Sequence, residues 1–209
     1  MQLPEVKFNI AKLIVFHLSL CPLAYLIFQA FRLDLGPDPQ LKVIHETGLW
    51  AMYFLFFTLL LTPAYRWFNW RWAPHFSRML GLFSLFYASL HILAYTFFIL
   101  GLDLSLLIEE TIKRPYIAVG AVAFITLSLL GATSTKGMMR RLGKKWKKLH
   151  RSIYWITPLV VWHYHWSLKL GKEEVYPFIV GIVVLLVLRL PLLKPFQKKF
   201  KQKFGQITK

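Results

Sequence analysis

The chain has 209 residues, 56% of them hydrophobic and 17% aromatic, and its mean hydropathy is +0.49. This composition excludes an ordinary soluble domain and is typical of an integral membrane protein. The formal net charge of +17 would suit a nucleic-acid ligand, but the positive residues lie in short segments between apolar runs, so we exclude nucleic acid as a partner and expect contact with membrane lipid.

Six apolar runs follow one another along the chain, each close to the length of about 20 residues that crosses a bilayer as a helix. They predict an all-α membrane protein, a six-transmembrane-helix bundle that occupies residues 1–193. No internal repeat is apparent, and the first run lacks a signal-peptide cleavage site, so we expect it to be retained. The runs are 10–31, 48–65, 79–101, 115–133, 152–168 and 175–193.

Positive charge alternates along the chain and predicts the direction of the helices. One set of segments holds 20 of the 26 lysine and arginine residues and one of the nine acidic residues. Cationic segments stay on the cytoplasmic side of a membrane, so both termini are predicted to be cytoplasmic. The cationic set is 1–12, 66–78, 134–151 and 189–209, and the remaining set is 32–46, 102–114 and 169–174.

Residues 194–209 form a basic C-terminal tail in which Phe196, Phe200 and Phe204 recur every four residues among lysines. This spacing favours an amphipathic helix that lies on the inner leaflet. A solvated tail that only fixes the orientation of the protein fits the same pattern, and a docking site for a cytoplasmic partner is a third interpretation.

Prolines mark several features of the predicted helices. Asp38 and Pro39 precede the second run, and Pro115 suits the first position of the fourth helix. Pro158 lies inside the fifth run. We expect it to kink that helix, because proline removes a backbone hydrogen bond.

Two histidines lie at matching depth in the third and fifth runs. His91 follows Arg78 by 13 residues and His163 follows Arg151 by 12, and both arginines mark the cytoplasmic boundary. At the helical rise of 1.5 Å per residue, both histidines lie roughly 18–20 Å from that boundary, in the outer half of the bilayer. Ionisable side chains are rare at this depth and usually functional.

A facing pair of neutral imidazoles inside a helix bundle is the ligand set of a bis-histidine haem. The competing interpretation is two unrelated histidines that bond neighbouring carbonyls and pack helices together. His165 lies two residues from His163 and therefore points to another side of the helix. Only one of the two can face the same group, and we predict His163 as the ligand and His165 as a packing residue.

The other histidines support weaker predictions. His150 begins the fifth run, far enough from His163 to serve a second haem, but an ideal helix turns it to another face, and an interfacial histidine is the alternative. His45, just outside the second run, suits helix-start packing or contact with a haem propionate or quinone, and His17 suits packing. Four inner-side cations could neutralise propionates: Arg78, Lys144, Lys148 and Arg151.

Motifs for other chemistry are absent from the sequence. It contains no HExxH or CxxC metal motif and no GxGxxG or Walker loop, and Cys21 is its single cysteine. The chain has no room for a nicotinamide or FAD domain. If the protein moves electrons, a separate protein or the quinone pool must supply them.

Short motifs run through nearly the whole chain in the order and spacing of one known family. On these motifs the chain resembles the MsrQ (YedZ) family, the haem-binding membrane subunits of the bacterial protein-methionine-sulfoxide reductase system, within the ferric-reductase-like transmembrane group. The matching motifs are Leu35-Gly36, Asp38-Pro39, His45, Thr47-Gly48, Leu61-Thr62-Pro63, Arg78, Leu80-Gly81-Leu82, His91, Arg114-Pro115-Tyr116, Thr133-Ser134-Thr135, Leu142-Gly143-Lys144, Trp146, Leu149-His150, His163-Tyr164, Trp166-Ser167 and Lys169.

The resemblance implies that His91, His150 and His163 bind haem iron, that one or two b-type haems are present, and that the protein also binds FMN. It implies that electrons pass from a cytoplasmic flavin reductase or quinol, across the bacterial inner membrane, to a periplasmic molybdenum-cofactor reductase, MsrP. That partner would reduce methionine sulfoxide in envelope proteins. The related oxidases carry two histidines in each of spans 3 and 5, whereas span 3 here offers only His91, so the number of haems stays open.

Two other functions remain alternatives at this point. One is a ferric or quinone reductase membrane domain that acts on a small molecule. The other is a non-redox transporter or scaffold, in which the histidines carry protons or pack helices.

Overall fold

The computed structural model describes residues 5–168 and 172–189 and contains α-helices but no β-strand within those ranges. The predicted all-α class is therefore confirmed, while the predicted amphipathic tail at 194–209 lies outside the described residues. A short 3-10 turn, Lys172–Val175, precedes the last described helix. The helices are α1 (Glu5–Phe31), α2 (Pro39–Phe68), α3 (Ala73–Phe98), α4 (Leu104–Lys113), α5 (Pro115–Ala132), α6 (Lys136–Leu142), α7 (Lys144–His150), α8 (Ile153–Ser167) and α9 (Tyr176–Val187).

Four of the described helices are long and apolar enough to cross a membrane, so the protein is a multi-pass membrane protein. The segments that qualify are Phe8–Phe31, Pro39–Phe68, Ala73–Phe98 and Pro115–Ala132. Helices α8 and α9 coincide with the fifth and sixth apolar runs but have 15 and 12 described residues. The count of six spans therefore remains a prediction.

Helix α2 begins earlier than its apolar run. The Asp38 side chain accepts a hydrogen bond from the Leu41 N–H at 3.0 Å, and Pro39 occupies the first turn, where a missing N–H costs nothing. The helix extends beyond the apolar run because polar residues can continue a helix outside the hydrocarbon. His45 consequently lies outside the apolar run but inside α2, near its start.

The segments between the apolar runs contain further helices that the hydropathy pattern did not reveal. Helix α4 lies in the segment 102–114, and the Asp103 side chain caps its first turn. Hydrogen bonds from Ser105 and from the backbone N–H groups of Ser105 and Leu106 hold the pKa of Asp103 below its usual value. The cap therefore stays ionised over the neutral pH range.

The basic segment 134–151 forms α6 and α7, which Gly143 separates with a positive φ of 50°. Helix α7 ends at His150, and a turn at Arg151 and Ser152 precedes α8. The sequence suggested that His150 begins the fifth spanning helix, and the structure shows that it does not. The relative rotation of His150 and His163 follows from this turn and not from one continuous helix.

Four helices form a closed ring that surrounds the centre of the bundle. Helix α2 packs along α3, α5 packs along α8, and the two pairs meet where α3 contacts α5 and α2 contacts α8. Helices α3 and α8 therefore face each other across the diagonal of the ring. Helix α1 packs outside against α2 and α3, and α9 packs outside against α2 and α8.

Tyr87 on α3 fastens α1 to the ring beside Pro22, which removes one backbone hydrogen bond of α1. The Tyr87 hydroxyl accepts a hydrogen bond from the Leu23 N–H at 3.1 Å and donates one to the Ser19 carbonyl at 2.9 Å. In a regular α-helix these two backbone groups would bond to each other. Pro22 lies inside α1 at this point, so the hydroxyl satisfies backbone groups beside a proline.

Arg189, just beyond α9, fastens the end of this helix to α2. Its guanidinium donates to the carbonyl of Leu59 and lies 4.8 Å from the centre of the Tyr154 ring. The Leu59 carbonyl would normally accept from the N–H of the residue four positions later, but that residue is Pro63, which has none. Arg189 therefore supplies the donor that Pro63 lacks.

Candidate metal centre

The rings of His91 and His163 meet inside the ring of four helices. Their centroids are 6.2 Å apart and their planes lie at 83°. His91 comes from α3 and His163 from α8, the two helices on the diagonal. The structure thus brings together the two histidines that the depth argument paired.

Each of the two imidazoles makes one hydrogen bond to a backbone carbonyl on the neighbouring helix. The distance from His91 Nδ1 to the Ile44 oxygen on α2 is 2.8 Å, and from His163 Nδ1 to the Tyr116 oxygen on α5 it is 2.7 Å. A carbonyl oxygen is only an acceptor, so both Nδ1 atoms carry the proton. The neutral rings therefore present unprotonated Nε2 atoms, the form in which histidine binds a metal.

A glycine lies beside each ring. A Cβ atom at Gly48 would be 2.9 Å from His91 Nδ1, and one at Gly120 would be 2.8 Å from His163 Nδ1, closer than real Cβ contacts. A carbonyl, a glycine and a histidine occur together in both helix pairs. Each of the three lies 72 residues later in the chain in the second pair than in the first. This local repeat was not apparent from the sequence.

The donor set fits a bis-histidine haem better than a metal ion held by protein ligands alone. Metal–nitrogen bonds to histidine are about 2 Å long, so two imidazoles that share one ion have centroids roughly 6 Å apart, close to the 6.2 Å found here. Among the described residues, no cluster of three or more His, Cys, Asp or Glu could hold a metal ion. A haem iron needs only the two axial ligands from protein, since the porphyrin supplies the others.

His150 lies in a different environment from the pair. Its Nε2 is 3.1 Å from the Thr133 hydroxyl, and its ring stacks on Trp146 with centroids 4.0 Å apart. The Thr133 hydroxyl donates its one hydrogen to the carbonyl of Leu129 at 2.7 Å, so it accepts a hydrogen bond from His150 Nε2. Partial burial lowers the pKa of His150, which favours the neutral ring.

The C-terminal end of α5 collects both an imidazole and a cation. Arg78 Nη1 donates to the Ser134 carbonyl at 3.4 Å, next to the Thr133 that bonds His150. Arg78 precedes His150 by 72 residues, the same spacing that separates Gly48 from Gly120. Arg78 therefore occupies the position in the first helix pair that His150 occupies in the second. Positive groups are favourable at a helix C-terminus, and Arg78 provides no metal-binding nitrogen to match His150.

A cationic cavity lies in the chain segment that contains His150. Its volume is about 590 Å³, and no acidic residue lines it. Three of the cations proposed to neutralise propionates belong to it. The lining residues are Gly143, Lys144, Lys147, Lys148 and Arg151.

His165, His17 and His75 lie in other environments than the pair. His165 Nδ1 is buried and has no hydrogen-bond partner within the described residues. His17 Nδ1 lies 2.8 Å from the Leu13 carbonyl of its own helix, and the His75 ring contacts Phe8 with centroids 5.3 Å apart. His17 lies on α1, outside the ring of four helices.

Comparisons with known proteins identify one family. The model of the ferric reductase like transmembrane component matches residues 47–161, a range that includes Gly48, His91, Gly120 and His150. The protein-methionine-sulfoxide reductase heme-binding subunit MsrQ of Herminiimonas arsenicoxydans is 39% identical over 180 residues, which cover 85% of this chain and 82% of that protein.

A second relative gives the same result. The heme-binding subunit MsrQ of Xanthomonas euvesicatoria pv. vesicatoria (strain 85-10) is 41% identical over 186 residues, which cover 84% of each chain. The corresponding subunit of Xanthomonas oryzae pv. oryzae (strain MAFF 311018) is 40% identical over 187 residues. No solved structure shows a significant match.

Proposed function

Because the chain belongs to the MsrQ family of haem-binding subunits, within the ferric-reductase-like transmembrane group, we propose that it carries electrons across the bacterial inner membrane through a b-type haem bound by His91 and His163. The observation that carries this proposal is the pair of neighbouring imidazoles, 6.2 Å apart, in which each Nδ1 bonds a carbonyl and Nε2 is the nitrogen that could bind iron.

The chain's own residues bind the haem, orient its ligands and close its coordination. The carbonyls of Ile44 and Tyr116 hold both rings as Nδ1–H tautomers and increase the basicity of Nε2. If His91 and His163 both bind the iron, no coordination position would remain for oxygen or a small substrate, which favours electron transfer over chemistry at the iron. When bound, the haem supplies reversible one-electron transfer.

We propose that the direction of electron flow follows from the membrane topology. Six spans with both termini in the cytoplasm place His91 and His163 in the outer half of the bilayer, near the periplasm. Residues 1–193 form this transmembrane domain, and the tail 194–209 contacts anionic lipid on the inner leaflet. The pair is then positioned to deliver electrons to a periplasmic protein.

The donor and the acceptor follow from the family. Electrons enter from a cytoplasmic flavin reductase or from quinol and leave to MsrP, the periplasmic molybdenum-cofactor reductase that reduces methionine sulfoxide in envelope proteins. FMN is a further expected cofactor, and the contacts of the described residues assign it no site. The chemistry at sulfur belongs to the partner, so this chain is the electron-transfer subunit of the system.

His150 is proposed as an additional haem ligand on the inner side. The neutral ring favours ligation, while the hydrogen bond from Nε2 to Thr133 leaves only Nδ1 for a metal unless that bond opens. A second haem would need another axial ligand, because the matching position on α3 is Arg78. We therefore propose one haem on His91 and His163 as the principal site and a second haem as conditional on His150.

Reoxidation of the reduced haem tests the proposed electron path. Purified protein, reduced and freed of excess reductant, is mixed with MsrP and a methionine-sulfoxide peptide, and the α-band of the haem is followed. We expect reoxidation only when MsrP and the peptide are both present. Reoxidation at the same rate by the peptide without MsrP would contradict the proposal. Reoxidation at that rate by ferric citrate or a quinone alone would do so as well, and either result would indicate a small-molecule reductase.

A further inference from the structure

We propose that Gly48 and Gly120 are positioning residues of the haem site, each forming a notch that seats one imidazole against a backbone carbonyl. The notch of Gly48 is formed with Ile44 and seats His91, and the notch of Gly120 is formed with Tyr116 and seats His163. This inference rests on the proposed ligand role of the two histidines.

The helix geometry explains why glycine is needed in these notches. In an α-helix the carbonyl of residue 44 accepts the N–H of residue 48, and it keeps a second lone pair for a side chain. A Cβ bond tilts toward the helix N-terminus, so a side chain at residue 48 would point toward that carbonyl. The His91 ring occupies this space, and a Cβ there would lie 2.9 Å from Nδ1 and 3.2 Å from Cε1.

The second notch repeats the first with different surroundings. His163 bonds the carbonyl of Tyr116, four residues before Gly120, and a Cβ at Gly120 would lie 2.8 Å from both Nδ1 and Cε1. The neighbouring side chains differ between the two sites, but the carbonyl, the glycine and the histidine keep their spacing. The space that an imidazole needs beside the carbonyl explains this repetition better than general helix packing does.

Other glycines in the same four helices serve as internal comparisons. A Cβ at Gly81 would make ordinary contact with the Thr58 side chain at 3.8 Å. A Cβ at Gly131 would clash with the Leu85 side chain, which is a packing contact without a histidine. Gly81 therefore controls for loss of a glycine, and Gly131 controls for a steric clash in the bundle.

The notches have a consequence for haem binding. They fix the tautomer and the plane of each ring, and loss of such an outer contact typically weakens metal binding about 10–100-fold. We therefore expect Gly48→Ala and Gly120→Ala to weaken haem affinity about 10–100-fold. In the haem that remains, the low-spin EPR g values and the midpoint potential should shift, because the ring plane and the Nδ1 bond change.

The controls give a different pattern of results. Gly81→Ala should keep the haem affinity, g values and midpoint potential of the unaltered protein. Gly131→Ala should lower the thermal stability while the haem that it binds keeps the same g values. A shift of the g values that is confined to Gly48→Ala and Gly120→Ala supports the notches.

A double variant tests the notch without haem and remains informative if Gly48→Ala folds poorly. In Gly48→Ala/His91→Ala the added methyl takes space that the imidazole has left, so the apoprotein should regain most of the lost thermal stability. Gly48→Ala/His163→Ala should regain none, because His163 belongs to the other notch. The corresponding pair for the second notch is Gly120→Ala/His163→Ala.

The outcomes separate the two proposals. If the unaltered protein binds low-spin haem but Gly48→Ala and Gly120→Ala match Gly81→Ala in affinity, g values and potential, the notch proposal is overturned and the haem proposal stands. Absence of rescue in both matched double variants also overturns it. If the unaltered protein binds no haem but the matched double variants regain thermal stability, the contact between glycine and imidazole is supported and the haem function is refuted.

Discussion

The rings of His91 and His163 meet inside the bundle with their planes at 83° and their centroids 6.2 Å apart. They come from helices that lie on the diagonal of a four-helix ring, and each is held by a carbonyl on the adjacent helix. The pairing therefore depends on four helices and not on two. Any change that rotates one ring should appear in the properties of the bound haem.

The first prediction concerns the electronic structure of that haem. Nearly perpendicular axial imidazoles produce a highly anisotropic low-spin ferric EPR signal, whereas parallel rings produce a rhombic one. We expect the anisotropic form from the oxidised protein, because the carbonyl bonds hold both planes. A purely rhombic low-spin signal at full haem occupancy would show that the rings turn when haem binds.

The second prediction concerns His150. We expect His150→Ala to retain the low-spin signal of the principal haem, because His150 contacts Thr133 and Trp146 and not the pair. The haem-to-protein ratio before and after the substitution shows whether a second haem depends on this residue. Thr133→Val is the matched variant, since it removes the hydrogen bond to Nε2 and keeps the imidazole. Loss of all haem in His150→Ala would contradict the assignment of the principal site.

The third prediction concerns the contact between α1 and α3. Tyr87→Phe leaves the Leu23 N–H and the Ser19 carbonyl without the hydroxyl that bridges them. An unsatisfied buried polar group costs about 1–3 kcal/mol, so we expect a lower melting temperature in detergent with an unchanged haem spectrum. Tyr25→Phe is the control, because Tyr25 lies on the exposed side of α1. Equal melting temperatures for the two variants would argue against the bridge.

The fourth prediction concerns Arg189. Arg189→Leu should destabilise the protein by about 1–3 kcal/mol, because the Leu59 carbonyl loses the donor that replaces the missing N–H of Pro63. Unfolding in denaturant, monitored by tryptophan fluorescence, measures this loss. Restoring the backbone donor should compensate, so Pro63→Ala/Arg189→Leu should be more stable than Arg189→Leu alone. A double variant less stable than the single one would refute this role of Arg189.

The sequence was sufficient to predict the pair but not the contacts that hold it. Charge alternation predicted the helix direction, and the helical rise then predicted one depth for His91 and His163. The carbonyls of Ile44 and Tyr116 left no signal, because every residue has a carbonyl and only the helix packing selects one. Gly48 stood in a recognised motif, but nothing in the sequence connected it with His91.

Other differences arose where local geometry overrides hydropathy. His150 seemed to begin the fifth spanning helix because no proline or glycine lies between it and the start of the fifth run, yet a turn at Arg151 separates it from His163. The contact between Arg189 and Leu59 joins residues 130 positions apart, and neither residue type suggests it. Helix α4 lies in a segment whose charged residues mask its amphipathic character.

The reduced-minus-oxidised spectrum of four purified histidine variants tests the central claim most directly. We predict that His91→Ala and His163→Ala each lose the low-spin b-type bands of the principal haem, while His165→Ala and His17→Ala keep them at the intensity of the unaltered protein. All four variants are expressed with excess haem, and the comparison uses those whose melting temperature equals that of the unaltered protein. Full retention of those bands in His91→Ala or His163→Ala would contradict the proposed pairing.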